Sequence, residues 1–262
     1  MNQVNDIAGL EDALWNRPRN LSAALGVRAA ARALPLSTLW LEWDEEEAMP
    51  MVLPAFRLLY AAWLAAVERG QGGDHAAPSE APLAAHVDAA IAHATGAVSR
   101  ATSVVANTPG KAAFDHARNA LAAGVRAAYP LGSATPGPQT VYRAMAHAAD
   151  TTDAWQALRD DLSAAITATD GGFLRQWLLA APLWPGPVPG WAASGWNTMR
   201  ERLKAREGEH WQVWTDWYDA LLDPAAGPLP EGPSARARLD VPEALWRLGP
   251  RHANPEIASR LP

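Results

Sequence analysis

The chain has 262 residues, 49% of them hydrophobic, enough to bury a substantial core without a metal or a disulfide to staple it. Twenty-eight acidic against 22 basic residues give a net charge of -6 and leave no long Lys/Arg block, so nucleic-acid binding is not expected. The absence of cysteine excludes disulfides, thiolate nucleophiles and cysteine-bound zinc or iron–sulfur sites, and accords with a reducing, cytoplasmic compartment.

The opening MNQVNDIAGLEDALW lacks the basic start and apolar run of a secretory signal, so export by that route is not expected. Short helices are predicted at Leu10–Trp15 and Asn20–Leu34, the second started by Asn20 and stopped before Pro35. Another is predicted from near Pro50 to Glu68, with Phe56, Leu59, Tyr60, Trp63, Leu64 and Val67 recurring at helical spacing as its buried face. Met51–Val67 is the most membrane-like stretch, but Pro54 and Arg57 interrupt it and it falls short of the roughly 20 apolar residues that span a bilayer. It is read as a core helix, with no integral membrane association.

Glycines 70, 72 and 73 open a connection through Pro82. Alanine-rich helices are predicted from Pro82 to Asn107 and from Pro109 to Tyr129, joined tightly enough to be antiparallel neighbours across small side chains. After a break at Pro130–Pro138, Thr140–Ala149 and Thr152–Thr169 read as helices, with Gly171-Gly172 as a stop. The next stretch, GGFLRQWLLAAPLWPGPVPGWAASGWNTM, interleaves Trp177, Trp184, Trp191 and Trp196 with Pro182, Pro185, Pro187 and Pro189. Such a proline run cannot form an ordinary helix, so an extended crossover pinned by its tryptophans is expected.

From Trp191 or Ser194 a helix should run to Leu222, with Gly208 dividing it, before Asp223-Pro224 ends the pattern. AAGPLPEGPSARAR reads as a loop or poorly ordered connector. Two short helices follow, Pro242–Leu248 and one after Pro255, with Leu245, Trp246 and Leu248 able to return to the body. The fold class is therefore all-α: an irregular multi-helix bundle with a Pro/Trp-rich crossover and short C-terminal helices. Residues 1–170 form an alanine-rich body, and residues 171–262 a Trp/Pro-rich C-terminal region packed on it.

The segment EHWQVWTDWYDALL places Trp211, Trp214, Tyr218 and Leu221 on one side of a helix with Trp217 beside them. Trp211, Trp214, Tyr218 and Trp246 form the expected structural aromatic cluster. The acidic run Asp44-Glu45-Glu46-Glu47 reads as solvated surface, yet Trp40, Leu41 and Trp43 border it, and an aromatic anchor beside charge combines contact area with orientation. Trp40, Trp43, Asp44, Glu45 and Trp217 are accordingly the candidates for protein interaction.

No catalytic residue is assigned. The chain has no His-Glu-x-x-His helix, no Gly-x-Ser-x-Gly elbow and no phosphate loop ending in Lys-Ser/Thr. Asp160 and Asp161 read as exposed acids as readily as a catalytic pair. Glu207-x-x-His210, near Asp216, has one-turn spacing, but a diiron bundle needs a second such pair and further carboxylates. His86 and His93, with Asp88 nearby, do not specify a metal either. Neither a metal nor a cofactor is expected.

HWQVWTDWYDALL together with DVPEALWRLGPRHANPEIASRL resembles a C-terminal segment that follows variable helical regions in uncharacterised bacterial proteins. A Trp-x-x-Trp-x-x-Trp-Tyr helix there precedes a Pro-Glu-x-x-Trp helix and a late Asn. The matching positions are Trp211, Trp214, Trp217, Tyr218, Pro242, Glu243, Trp246, Gly249, Pro250, Asn254 and Ile257. The resemblance carries no assigned chemistry and implies a reusable structural or interaction module. A noncatalytic helical scaffold or adaptor with a protein partner is therefore expected. Its alternatives are an enzyme with a distributed carboxylate/histidine site and a self-associating structural protein.

Overall fold

In the computed structural model the described residues are Ala13, Arg17 and residues 19–38, 45–69, 152–170 and 172–261. All regular elements among them are helical. They are α1 (Arg19–Ala33) with a 3-10 turn (Leu34–Ser37), α2 (Glu45–Arg69), α3 (Thr152–Asp170), α4 (Leu174–Ala180), α5 (Gly190–Lys204), α6 (Gln212–Leu222), α7 (Gly232–Arg236), α8 (Glu243–Arg247) and α9 (Pro250–Arg260). The helices expected at Leu10–Trp15, Pro82–Asn107, Pro109–Tyr129 and Thr140–Ala149 lie outside the described residues or, for the first, almost wholly so.

Helix α1 lies against both α2 and α3. Alanine explains the first contact: Ala24 and Ala30 of α1 and Ala61, Ala62, Ala65 and Ala66 of α2 are buried, and methyl side chains let two helix backbones approach closely. Helix α4 packs on α2 and α3, and α5 crosses the 3-10 turn. That crossing depends on Gly195, where a Cβ atom would stand 2.7 Å from the Pro35 carbonyl oxygen and 3.0 Å from Thr38 Oγ1. The buried residues of the N-terminal helices and of the C-terminal region form one hydrophobic cluster running from Leu21 to Ile257.

The predicted break at Gly208 is present: α5 ends at Lys204, Gly208 takes φ +75°, and α6 begins at Gln212. Several boundaries differ from expectation. Helix α2 starts at Glu45, ahead of Pro50, and carries both Pro50 and Pro54 internally. The last helix begins at Pro250 and holds Pro255 inside it, so the proline does not open the helix but removes the N–H that would serve the Arg251 carbonyl. Gly249 at φ +89° makes the turn that admits Pro250 at the first helical position.

Three further expectations are corrected. Residues 183–187 are a succession of bends and not an extended crossover, and the carbonyls that lead into them, from Ala181 to Leu183, are held by buried arginines, as described below. The segment read as a loop or poorly ordered connector contains α7, and its Leu229, Ala235 and Arg238 are buried. Leu248, expected to return to the body, is 60% exposed, while its neighbour Trp246 is fully buried.

Candidate functional site

The most heavily built region is the seam along which the C-terminal region meets α1 and α2. Its apolar half comes from α2, where Phe56, Tyr60 and Trp63 project toward α6 at helical spacing. Phe56 stacks on Trp214 at 6.0 Å between ring centroids and meets Trp196 edge-on at 6.3 Å. Tyr60 meets Trp217 edge-on at 4.9 Å and Trp214 at 5.9 Å, and Trp63 meets Trp217 at 6.0 Å. These offset and edge-on arrangements set the positive rim of one ring against the negative face of another. Trp214 also faces Trp246 at 6.2 Å, which brings α8 into the same cluster.

The structure thus brings together the four residues expected to form an aromatic cluster, Trp211, Trp214, Tyr218 and Trp246, all of them buried. It corrects the reading of Trp217 as an interaction candidate. With 1% of its surface exposed, Trp217 is a core residue, because α6 is covered by α2 on the flank that its sequence pattern left open. Trp40, Trp43 and Asp44 lie outside the described residues. Glu45 is the first residue of α2.

Polar groups fasten the same seam. Tyr218 donates to the Ala31 carbonyl at 2.8 Å and Tyr60 to the Ala235 carbonyl at 2.6 Å. Burial pushes the Tyr60 phenol up to about 12 and raises the Tyr218 phenol further, so both remain protonated donors across the neutral range. Arg238 donates to the Val213 carbonyl at 2.9 Å with its guanidinium over the Tyr60 ring. Arg57, 1% exposed, lies over Trp246 at 4.2 Å and donates to Glu243 at 2.9 Å; burial lowers its pKa against the opposing pull of that carboxylate. Arg236 pairs with Glu68 at 2.8 Å.

A second polar centre organises the crossover. Arg28 and Arg32, one turn apart on α1, converge on Asp161 of α3. Arg28 Nε and Nη2 donate to Asp161 at 2.8 and 3.0 Å, and Arg32 Nη2 donates at 2.5 Å. Their remaining donors reach the carbonyls of Ala181, Pro182 and Leu183, which is why the chain bends there. Trp177 lies against the Arg28 guanidinium and Trp184 against that of Arg32, at 4.7 and 5.3 Å. Burial lowers the Arg32 pKa, opposed first by Asp161. Sequence reading left Asp160 and Asp161 equivalent. Asp160 is exposed and bonded to Gln156, whereas Asp161 is buried between two cations. The signal was the pair Arg28 and Arg32, i and i+4 in an otherwise apolar alanine stretch.

The third centre surrounds Glu209, 3% exposed, which accepts from Trp211 Nε1 at 2.7 Å and Arg206 Nε at 3.0 Å, with Arg251 Nε at 3.5 Å. Asn254 ties α9 to α6: its Nδ2 donates to the Glu209 carbonyl and its Oδ1 accepts from Trp214 Nε1, both at 2.8 Å. Between these fixed residues His210 is held at φ +49°, in the left-handed region.

No group of three or more His, Asp or Glu residues suited to a metal ion occurs among the described residues. Glu207 and His210 are exposed, and His210 faces Gln212 at 3.3 Å. Asp216 has its carboxyl pKa raised, first by partial burial and then by Asp219; Lys204 and Arg238 oppose the shift. Asp219 accepts from Trp196 Nε1 at 2.6 Å. A void of about 10 Å³ lies between Val27, Leu59, Trp63, Leu178 and Leu221, room for one water molecule. Among the described residues no helix is long and apolar enough to cross a membrane. Comparison of the chain with protein-family models, curated proteins and solved structures gave no match.

Proposed function

We propose that this chain is a noncatalytic helical scaffold or protein-interaction adaptor of the bacterial cytoplasm. Its Trp-rich C-terminal segment acts as a docking module seated on the chain's own α1 and α2. The observation that carries this reading is the use made of buried polar groups. Tyr60, Tyr218, Arg28, Arg32 and Arg238 all spend donors on main-chain carbonyls of distant elements, a pattern that fixes architecture. Of the positions of the C-terminal resemblance, Tyr218 and Asn254 likewise donate to main-chain carbonyls, while Trp211, Trp214 and Glu243 bond to the side chains of Glu209, Asn254 and Arg57. Partner contact is assigned to Trp40, Trp43, Asp44 and Glu45, on their aromatic and acidic character.

The enzyme alternative draws on one observation, the raised pKa of Asp216 beside Asp219, which is the kind of perturbation found in acid–base sites. Tagged protein captured from native extract, compared with a Trp40→Ala/Trp43→Ala variant of unchanged far-ultraviolet circular dichroism and thermal unfolding, tests the main reading. The expected result is a partner enriched by the wild type, lost with the variant, and bound by purified wild type in calorimetry. Equal recovery by both forms, or a purified partner that does not bind, would overturn it. Sedimentation across a concentration series separates this outcome from self-association.

A further inference from the structure

We draw no further inference here: the strongest candidate, the buried Arg57 guanidinium between α2 and the Trp246 ring, has Nε and Nη1 atoms without a hydrogen-bond partner among the described residues, and nothing in the structure shows what would occupy them.

Discussion

Replacing Asp161 with Asn isolates the polar centre that joins α1, α3 and the crossover. The carboxylate is 2% exposed and the arginines that share it are 4% and 3% exposed, so water cannot take its place without rearrangement. The substitution keeps the shape and removes the charge from bonds of 2.8, 3.0 and 2.5 Å. Three charge-assisted hydrogen bonds at about 1.5–3 kcal/mol each give an upper range of roughly 4.5–9 kcal/mol. The Asn oxygen still accepts one bond, and the carbonyls of Ala181, Pro182 and Leu183 still receive both guanidinium groups. The expected loss is therefore about 3–5 kcal/mol, the range found when one partner of a buried ion pair is removed. Urea unfolding followed by tryptophan fluorescence would report it as a lower midpoint at unchanged slope. Adding Arg32→Met should recover part of the loss, because it removes one of the two cations left facing each other. An Asp161→Asn protein within about 1 kcal/mol of wild type, below even a single charge-assisted bond, would refute the reasoning.

Trp211→Ala/Trp214→Ala should loosen the C-terminal region, since each truncation of a buried tryptophan costs about 3–5 kcal/mol and the second also leaves Asn254 Oδ1 without its indole donor. Hydrogen exchange over residues 205–261 and thermal unfolding should both change; wild-type behaviour in both would exclude a structural role for this face. Alkali should destabilise the protein through Tyr60 and Tyr218. Their pKa values are raised on folding, so their stabilising effect is complete below the ordinary phenol value near 10 and declines as pH rises through about 12 for Tyr60. A Tyr60→Phe/Tyr218→Phe protein should start less stable and lose less between pH 10 and 12, as read by circular dichroism; parallel curves would count against the assignment. Asp216→Asn should raise the melting temperature at pH 7, where the carboxylate is ionised in a site that disfavours it. The gain should vanish at pH 3, where both folded and unfolded states are protonated. A lower melting temperature at pH 7 would show that Asp216 is favourably paired.

Local signals in the chain reached the helices and much of the aromatic core. Proline and glycine punctuate runs of good helix formers, which is sufficient for an all-α assignment and for the break at Gly208. The spacing of Trp211, Trp214 and Tyr218 marked a face too large and apolar to leave in water, and all three are buried. What the tertiary structure decided were relationships between distant segments. Arg28 and Asp161 are 133 residues apart, and the spacing of Arg28 and Arg32 in an apolar stretch does not say which acid answers them. Trp217 lies on the flank of its helix that periodicity leaves free, and only the arrival of Tyr60 and Trp63 buries it. Pro50, Pro54 and Pro255 sit inside helices where propensity alone would end them, because packing of the apolar face outweighs a lost hydrogen bond. Periodicity specifies which side of a helix must be covered, while the identity of the cover depends on how the whole chain satisfies its buried charges and donors together.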